Sequence, residues 1–162
     1  MPGKVDHGGR ASPSVDEWRR WHHETVSDTD PLFAVYEGAL VTAQDPANGE
    51  WVDPSFECLA RTDVAAVLTA YNPGSERRSW AQNEAANAQL RDVLQAAYTD
   101  VWQADGFSPD GTWREPGWLV WGMPVDVAVA IAADFRQIAI YYYDTHGVRS
   151  VVACSPGDAS TA

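Results

Sequence analysis

The pattern of apolar and polar positions along the chain predicts alternating strands and helices. Short continuous apolar runs are typical of buried strands. From Asp63 onward they occur in "DVAAVLTAYN", "TDVWQADG", "WLVWGM", "QIAIYYYD" and "VRSVVAC". Apolar residues at helical spacing predict a helix in "SVDEWRRWHHETV", another from Ser79 to about Ala97, and another in "PVDVAVAIAADF". The predicted order from Asp63 is β-α-β-β-α-β-β.

This order predicts an α+β fold with a ferredoxin-like split βαβ core. Such a core has an antiparallel or mixed sheet and two helices, and the preceding residues would add a helix and a strand. We expect the first and third strands of the core to be parallel neighbours. On that assumption the ends of these two strands meet at one edge of the sheet.

Several local signals place the boundaries of these elements. Ser79 can cap its helix together with Gln82 in a capping box. Pro124 suits the first position of the next helix. "FSPDGTWREPG" has the composition of a long turn or of the outer part of a hairpin. The second half of "LFAVYEGALVTAQ" is interpreted as a strand, because "DPANGEW" then forms a turn.

The length of 162 residues predicts one domain. We place it at residues 14–154, because residues 1–13 and 155–162 are rich in Gly, Pro and Ser and are predicted to be disordered. The start of the chain has no apolar signal segment, and no stretch has the roughly 18 apolar residues of a membrane helix. We therefore expect a cytoplasmic protein that does not contact membranes.

The formal net charge of −12 argues against direct binding of nucleic acid, whose phosphates would be repelled. Two alternatives remain for the excess of acidic residues. In the first, they simply keep the protein in solution. Alternatively, the protein acts through its negative surface, as a protein-interaction module or as an inhibitor that mimics nucleic acid.

The residues that usually hold metals and cofactors form no motif in this chain. Cys58 and Cys154 lie far apart, and neither belongs to a CxxC pair. His22 and His23 are adjacent, so they would point to different sides of a helix. "NPGSERRS" lacks the spaced glycines and the lysine of a phosphate-binding loop. We expect no metal and no cofactor.

The predicted helix after Ser79 places asparagines where core residues belong. Positions 83, 87, 90, 94 and 97 form one stripe, which continues from Leu90, Leu94 and Ala97 to Asn83 and Asn87. A buried carboxamide without a partner costs about 1–3 kcal/mol, so both asparagines need hydrogen bonds. They either brace the preceding "NPGS" loop or form the floor of a pocket.

The pocket alternative predicts a ligand site at the edge of the sheet. Asn72, Gly122 and Gln137 would share that edge, with the two asparagines over it. Ser75 and the first turn of the helix offer backbone N–H groups to an anion, and two arginines precede the cap. The predicted ligand is a small polar or anionic molecule, for example a nucleotide-like one. The predicted ligand-binding residues are Asn72, Ser75, Arg77, Arg78, Asn83, Asn87 and Gln137.

An enzyme is a further alternative, with Glu115 as its general acid or base. For this role Glu115 would have to lie within about 4–6 Å of the amide cluster. The predicted topology places it at the opposite edge, where a salt bridge for Glu115 and a packing role for Trp113 are the competing interpretations. The "YYY" run at 141–143 is interpreted as strand packing.

The stretches "LTAYNPGS", "QNEAANAQL", "WREPGWLVWG" and "FRQIAIYYY" follow one another at characteristic separations. In this order they resemble a bacterial family, domain of unknown function 3293, over roughly residues 33–153. The most specific part is Thr-Ala-aromatic-Asn-Pro-x-Ser followed by a helix that carries asparagine. The family has no established activity. The resemblance therefore implies the extent of the fold and the residues of interest, and it implies no reaction.

Overall fold

The computed structural model describes residues 31–154 of the chain. The helix predicted in residues 14–26 and the disorder predicted for 1–13 and 155–162 lie outside the described residues. The helices are α1 (Pro31–Gly38), α2 (Pro54–Arg61), α3 (Trp80–Ala97) and α4 (Val125–Asp134). The strands are β1 (Leu40–Gln44), β2 (Trp51–Val52), β3 (Ala65–Leu68), β4 (Val101–Phe107), β5 (Arg114–Trp121), β6 (Ala139–Tyr143) and β7 (Arg149–Ala153). None of the described helices is long and apolar enough to cross a membrane.

The α3 helix begins and ends as its sequence predicts. The Ser79 hydroxyl accepts a hydrogen bond from Gln82 N at 3.2 Å, and Gln82 Oε1 accepts one from Ser79 N at 3.1 Å. This reciprocal capping box satisfies N–H groups that the first helical turn leaves without partners. Pro124 differs slightly from its predicted position, because it is the N-cap of α4 and Val125 is the first helical residue.

The α2 helix is an element that the apolar pattern did not indicate. Its signals are local: the Asp53 side chain accepts from Ser55 N at 2.9 Å, and Pro54 occupies the first turn. Thr62 ends the helix in the left-handed region at φ 54°. The helix has eight residues, of which only Pro54 and Cys58 are buried.

The strands form one antiparallel sheet of seven, in the order β2-β1-β4-β5-β3-β6-β7. This confirms the α+β class and gives a larger sheet than the predicted core. The prediction that the first and third core strands are parallel is wrong, since β3 and β5 pair antiparallel with Leu68 opposite Trp118. The cause is the chain path: α3 returns the chain so that β4 runs like β3, and the β4–β5 hairpin then reverses it.

The hairpin between β4 and β5 is tighter than predicted. Residues 114–117 of the predicted turn belong to β5, and Phe107 pairs with Arg114. The intervening turn is closed by Ser108 N, which donates to Trp113 O at 3.0 Å. As a result, Glu115 lies within the sheet, directly opposite Gly106 of β4.

Both faces of the sheet are packed against helices. One face carries α3 and α4, and its core contains Ala66, Leu68, Leu90, Leu94, Val120, Met123, Ala128, Ala132 and Ile140. The other face carries α1 and α2, and its core contains Tyr36, Val41, Cys58, Val67, Trp102, Leu119, Trp121, Tyr141 and Tyr143. Leu90 and Leu94 are fully buried, and each such burial contributes roughly 1.5–3 kcal/mol.

Candidate functional site

Asn72 occupies the corner between β3 and α3 in a left-handed conformation, with φ 47°. Its backbone N donates to Asn83 Oδ1 at 2.8 Å, and its Oδ1 accepts from Asn83 Nδ2 at 3.0 Å. The same Oδ1 also accepts from Arg78 N at 3.0 Å. One carboxamide therefore ties the loop both to α3 and to the residues that lead into it.

The two asparagines of the α3 stripe are buried, each 5% exposed. Asn87 Oδ1 accepts from Ala70 N at 3.3 Å, and both ends of the Asn83 amide bond to Asn72. These hydrogen bonds fit the loop-bracing alternative. The predicted stripe is present from Asn83 to Leu94, but Ala97 is exposed because the helix ends there.

The end of β3 is also tied to β5. The Thr69 hydroxyl donates to Pro116 O at 2.7 Å and accepts from Tyr71 N at 3.1 Å. Asn72 Nδ2 donates to Glu115 Oε1 at 3.3 Å. Glu115 therefore belongs to the amide cluster, and its predicted placement at the opposite edge is wrong, because an antiparallel β5 begins where β3 ends.

The same reversal moves Gly122 away from the cluster. Gly122 N donates to Val64 O at 2.8 Å, which places it beside the start of β3. Gln137 does lie at the predicted edge, where its Nε2 donates to Tyr71 O at 3.2 Å and to Phe135 O at 3.3 Å. Of the three residues predicted to share that edge, Asn72 and Gln137 meet there.

The two arginines of the predicted anion site, Arg77 and Arg78, do not line either of the two cavities beside Glu115. Arg77 is exposed, and Arg78 forms an ion pair with Glu76 at 3.1 Å. Ser75 belongs to a 3₁₀ turn, Pro73–Ser75.

The first cavity, which we call the Glu115 cavity, has a volume of about 30 Å³ and crosses the four central strands. Most of its lining residues from β3 to β6 lie on one face of the sheet, because alternate residues of a strand share a face. Leu68 also lines the cavity, although its side chain packs in the core of the other face. Gly106, Gly117 and Ala139 have little or no side chain and leave the space open. Its lining also includes Tyr36, Val67, Thr69, Trp113, Glu115, Gln137 and Tyr141.

Two buried polar atoms on the lining residues of the Glu115 cavity have no hydrogen-bond partner among residues 31–154. They are the hydroxyl of Tyr141, a residue that is 8% exposed, and Nε1 of Trp113. Buried donors without a partner are rare in folded proteins and call for a specific explanation. The packing roles predicted for both rings are present, since each packs in the core of this face, but packing leaves these atoms unsatisfied.

Glu115 is 9% exposed and forms no salt bridge with any described residue, so the predicted salt bridge is absent from this part of the chain. Burial raises the pKa of its carboxyl from 4.5 to about 7, while the hydrogen bond from Asn72 lowers it. Burial and then the Glu115 charge also raise the pKa values of Tyr36 and Tyr141. The carboxyl can therefore gain or lose a proton near neutral pH.

A second, smaller cavity of about 10 Å³ adjoins the first and shares Tyr36, Glu115 and Gln137 with it. It is also lined by Arg136, an exposed residue at φ 56° whose guanidinium lies over Gly74. Arg136 forms no ion pair with another described residue. Arg136 and the buried Glu115 therefore line the same small cavity.

This arrangement can hold a polar group and exchange a proton with it. It offers little to a metal, because no three His, Cys, Asp or Glu side chains within residues 31–154 are grouped to hold one. Sequence reasoning considered Trp113 and Glu115 but missed Tyr36, Gly106 and Tyr141 as parts of a site. One signal in the sequence could have indicated the cavity: the small residues Gly106, Gly117 and Ala139 lie in three of the four central strands.

Neither the curated proteins nor the solved structures contain a significant match to the chain. The family comparison gives a match, and it includes the corner at Asn72, the α3 helix, Glu115 and Gln137. It confirms the resemblance that the sequence motifs indicate. Residues 68–140 match the model of the family described as "Protein of unknown function (DUF3293)".

Proposed function

We propose that the protein binds a small polar molecule whose head group enters the Glu115 cavity. The observation that carries this proposal is the set of polar groups around one small space. Glu115, Tyr141 and Trp113 line it, and the buried Tyr141 hydroxyl and Trp113 N–H have no partner among the described residues. A bound polar group would satisfy them.

The size of the cavity limits which part of a ligand it can hold. A buried water needs about 10–15 Å³ of comparable volume, so about 30 Å³ has room for about two water-sized atoms. The head group is therefore small. The adjoining cavity of about 10 Å³ has room for at most one further water-sized atom, so the remainder of the ligand lies outside both cavities, on the side of Gln137 and Arg136.

The proposed site keeps part of the site predicted from sequence. Asn72 and Gln137 remain as residues that position Glu115 and border the cavities. Asn83 and Asn87 act one step away, by holding the loop that carries Asn72. An anion site at Ser75, Arg77 and Arg78 stays a prediction from the sequence.

We also infer that the central strands and two helices form a split βαβ unit inside the larger sheet. The support is the strand order β4-β5-β3-β6 and the packing of α3 and α4 on one face. The Glu115 cavity would then lie on the open face of that unit, beneath α1.

Filling the cavity tests the binding proposal. A Cβ added at Gly106 would lie 3.8 Å from the Tyr141 ring, an ordinary contact, so Gly106→Ala narrows the space without a clash. Gly38→Ala is the matched control, because nothing lies within 4 Å of its added Cβ. Both proteins would be screened by ligand-observed NMR against a panel of small carboxylates, amides, sugars and nucleosides.

At least one member of the panel should bind the wild-type protein and the Gly38→Ala variant. Its affinity should fall by tenfold or more in Gly106→Ala, since the head group competes with the new methyl group for space. The proposal would be refuted if no member of the panel bound, or if the members that bind had the same affinity for the wild-type protein and for Gly106→Ala.

A second candidate function is catalysis by Glu115 as a general acid or base. Two observations favour it. Glu115 lies 3.3 Å from the Asn72 amide, which is within the distance of about 4–6 Å from the amide cluster that this role requires, and its carboxyl has a pKa of about 7. Panel members that bind would be incubated with the protein and followed by NMR for conversion. Catalysis requires turnover that Glu115→Gln abolishes while binding persists; unchanged spectra would exclude it for those ligands.

A further inference from the structure

We propose that the head group held in the Glu115 cavity is a carboxylate, and that it shares one proton with the Glu115 carboxyl. This inference rests on the proposed binding function and names the chemical class of its ligand. Three donors would then meet two oxygens: the Trp113 N–H, the Tyr141 O–H and the proton on Glu115.

The two buried donors without partners require a head group that accepts hydrogen bonds. Trp113 Nε1 can only donate, and the Tyr141 hydroxyl has a proton to donate. The cavity has room for about two water-sized atoms, which corresponds to the two oxygens of a carboxylate. A head group that presents only N–H donors would leave Trp113 Nε1 without a partner.

The charges around the cavity also favour an anion. Tyr36 from α1 and Tyr141 from β6 face Glu115, and burial raises the pKa values of both, so both are neutral at physiological pH. The Arg149 guanidinium of β7 lies 5.2 Å from the centre of the Tyr141 ring and lowers the pKa of Tyr141 by a smaller effect than burial. Arg136, between α4 and β6, is the cation at the adjoining cavity and has no ion pair within residues 31–154. The remaining lining side chains from β3, β4, β5 and the β4–β5 loop carry no charge.

Two carboxylates cannot both remain ionised at hydrogen-bond distance in a buried site. Binding of the anion therefore requires that Glu115 be protonated, and the proton comes from solvent when Glu115 was ionised beforehand. The pKa of about 7 makes this uptake accessible near neutral pH. Affinity for a carboxylate should consequently decrease as the pH rises above that value.

The test compares acetate with acetamide, which has the same shape and no charge. Binding to the intact protein would be followed by ¹H–¹⁵N chemical-shift perturbation between about pH 6 and pH 9, where acetate stays ionised. The Kd of acetate should rise roughly tenfold per pH unit above about 7, and the Kd of acetamide should not. Calorimetry in two buffers of different ionisation enthalpy should detect about one proton taken up per acetate at high pH.

Variants separate the shared proton from a general packing effect. Glu115→Gln keeps a donor and has no titrating group, so it should bind acetate with a Kd that does not vary with pH. Tyr141→Phe should raise the Kd of acetate about 3- to 10-fold, because it removes one donor. Tyr142→Phe, on the opposite face of the same strand, should leave acetate binding unchanged.

The possible failures are distinguishable. If acetate binding is independent of pH in the wild-type protein, or no tighter than acetamide binding, the carboxylate inference is wrong. Suppose that neither acetate nor acetamide binds, but other panel members bind the wild-type protein and lose affinity in Gly106→Ala. The carboxylate inference is then wrong, while the binding function stands. If Gly106→Ala leaves all binding intact, both are wrong.

Discussion

The Asn72 amide donates a hydrogen bond to the Glu115 carboxylate at 3.3 Å, although 43 residues separate the two in sequence. The same amide accepts from Asn83 on α3, so a single side chain links the helix on one face of the sheet to the carboxyl on the other. This linkage explains why a buried helical stripe carries asparagine, and the predictions below depend on it.

Removal of the Asn72 amide should raise the pKa of Glu115 above its present value of about 7, because the hydrogen bond stabilises the ionised form. Asn72→Gly is the suitable variant, since glycine adopts φ 47° without strain. The measurement is an NMR titration of the Glu115 side-chain carbonyl carbon. Thr62→Gly, at another left-handed position away from Glu115, should leave that pKa unchanged; a similar shift in both variants would contradict the direct contact.

The stability of the protein should depend on the ionisation of Glu115. Its pKa is higher in the folded chain than in the unfolded chain, so its stabilising contribution is complete below about pH 4.5 and is lost as the pH rises through about 7. The shift corresponds to a decrease of about 3 kcal/mol in the free energy of unfolding across this range.

Urea unfolding of the wild-type protein and of Glu115→Gln, from about pH 4 to pH 8, measures this dependence. The difference between the two proteins isolates Glu115 from the other carboxyl groups, which titrate in both. A difference in unfolding free energy that stays constant with pH would show that the Glu115 carboxyl is not buried in the way described.

Asn83→Ala should destabilise the protein by about 1–3 kcal/mol, because it leaves Asn72 N without its partner and removes one of the two donors to Asn72 Oδ1. Gln89→Ala, at an exposed position of the same helix, is the control and should cost less than about 0.5 kcal/mol. Chemical unfolding compares the two. Equal stabilities would mean that the loop does not depend on the asparagine brace.

Two glycines on neighbouring strands should respond in opposite ways to alanine. A Cβ at Gly117 would lie 2.3 Å from Leu68 O, so Gly117→Ala must separate β3 from β5 and should cost more than about 2 kcal/mol. Gly106→Ala meets only ordinary contacts and should be neutral or mildly stabilising. Thermal unfolding of both variants checks the contrast, and a destabilised Gly106→Ala would indicate that the Glu115 cavity is smaller than described.

Much of the fold follows from signals between residues close in sequence. The capping box of Ser79 and Gln82, the run of α3 to Ala97 and the order of strands from β3 onward were predictable, because caps and periodicity involve neighbouring positions. The α2 helix was missed although Asp53 and Pro54 mark its start, since its eight residues make only about two turns over which an apolar pattern can repeat.

The candidate site was predictable only in part. The burial of Asn83 and Asn87 could be inferred from their helical spacing, and Gln137 could be placed at the start of a strand. The position of Glu115 could not, because it depends on whether β5 runs parallel or antiparallel to β3. That direction places Glu115, rather than Gly122, beside Asn72.

The sequence by itself thus determined the elements from β3 onward, their order and the polar stripe of α3, all of which are set by interactions over a few residues. Only the tertiary structure decided that Glu115, Tyr141 and Trp113 meet around one cavity. Their meeting requires three separate strand pairings, β4 with β5, β5 with β3 and β3 with β6, to fall into register on one face. Register and direction arise from contacts between distant parts of the chain, and no local pattern contains them.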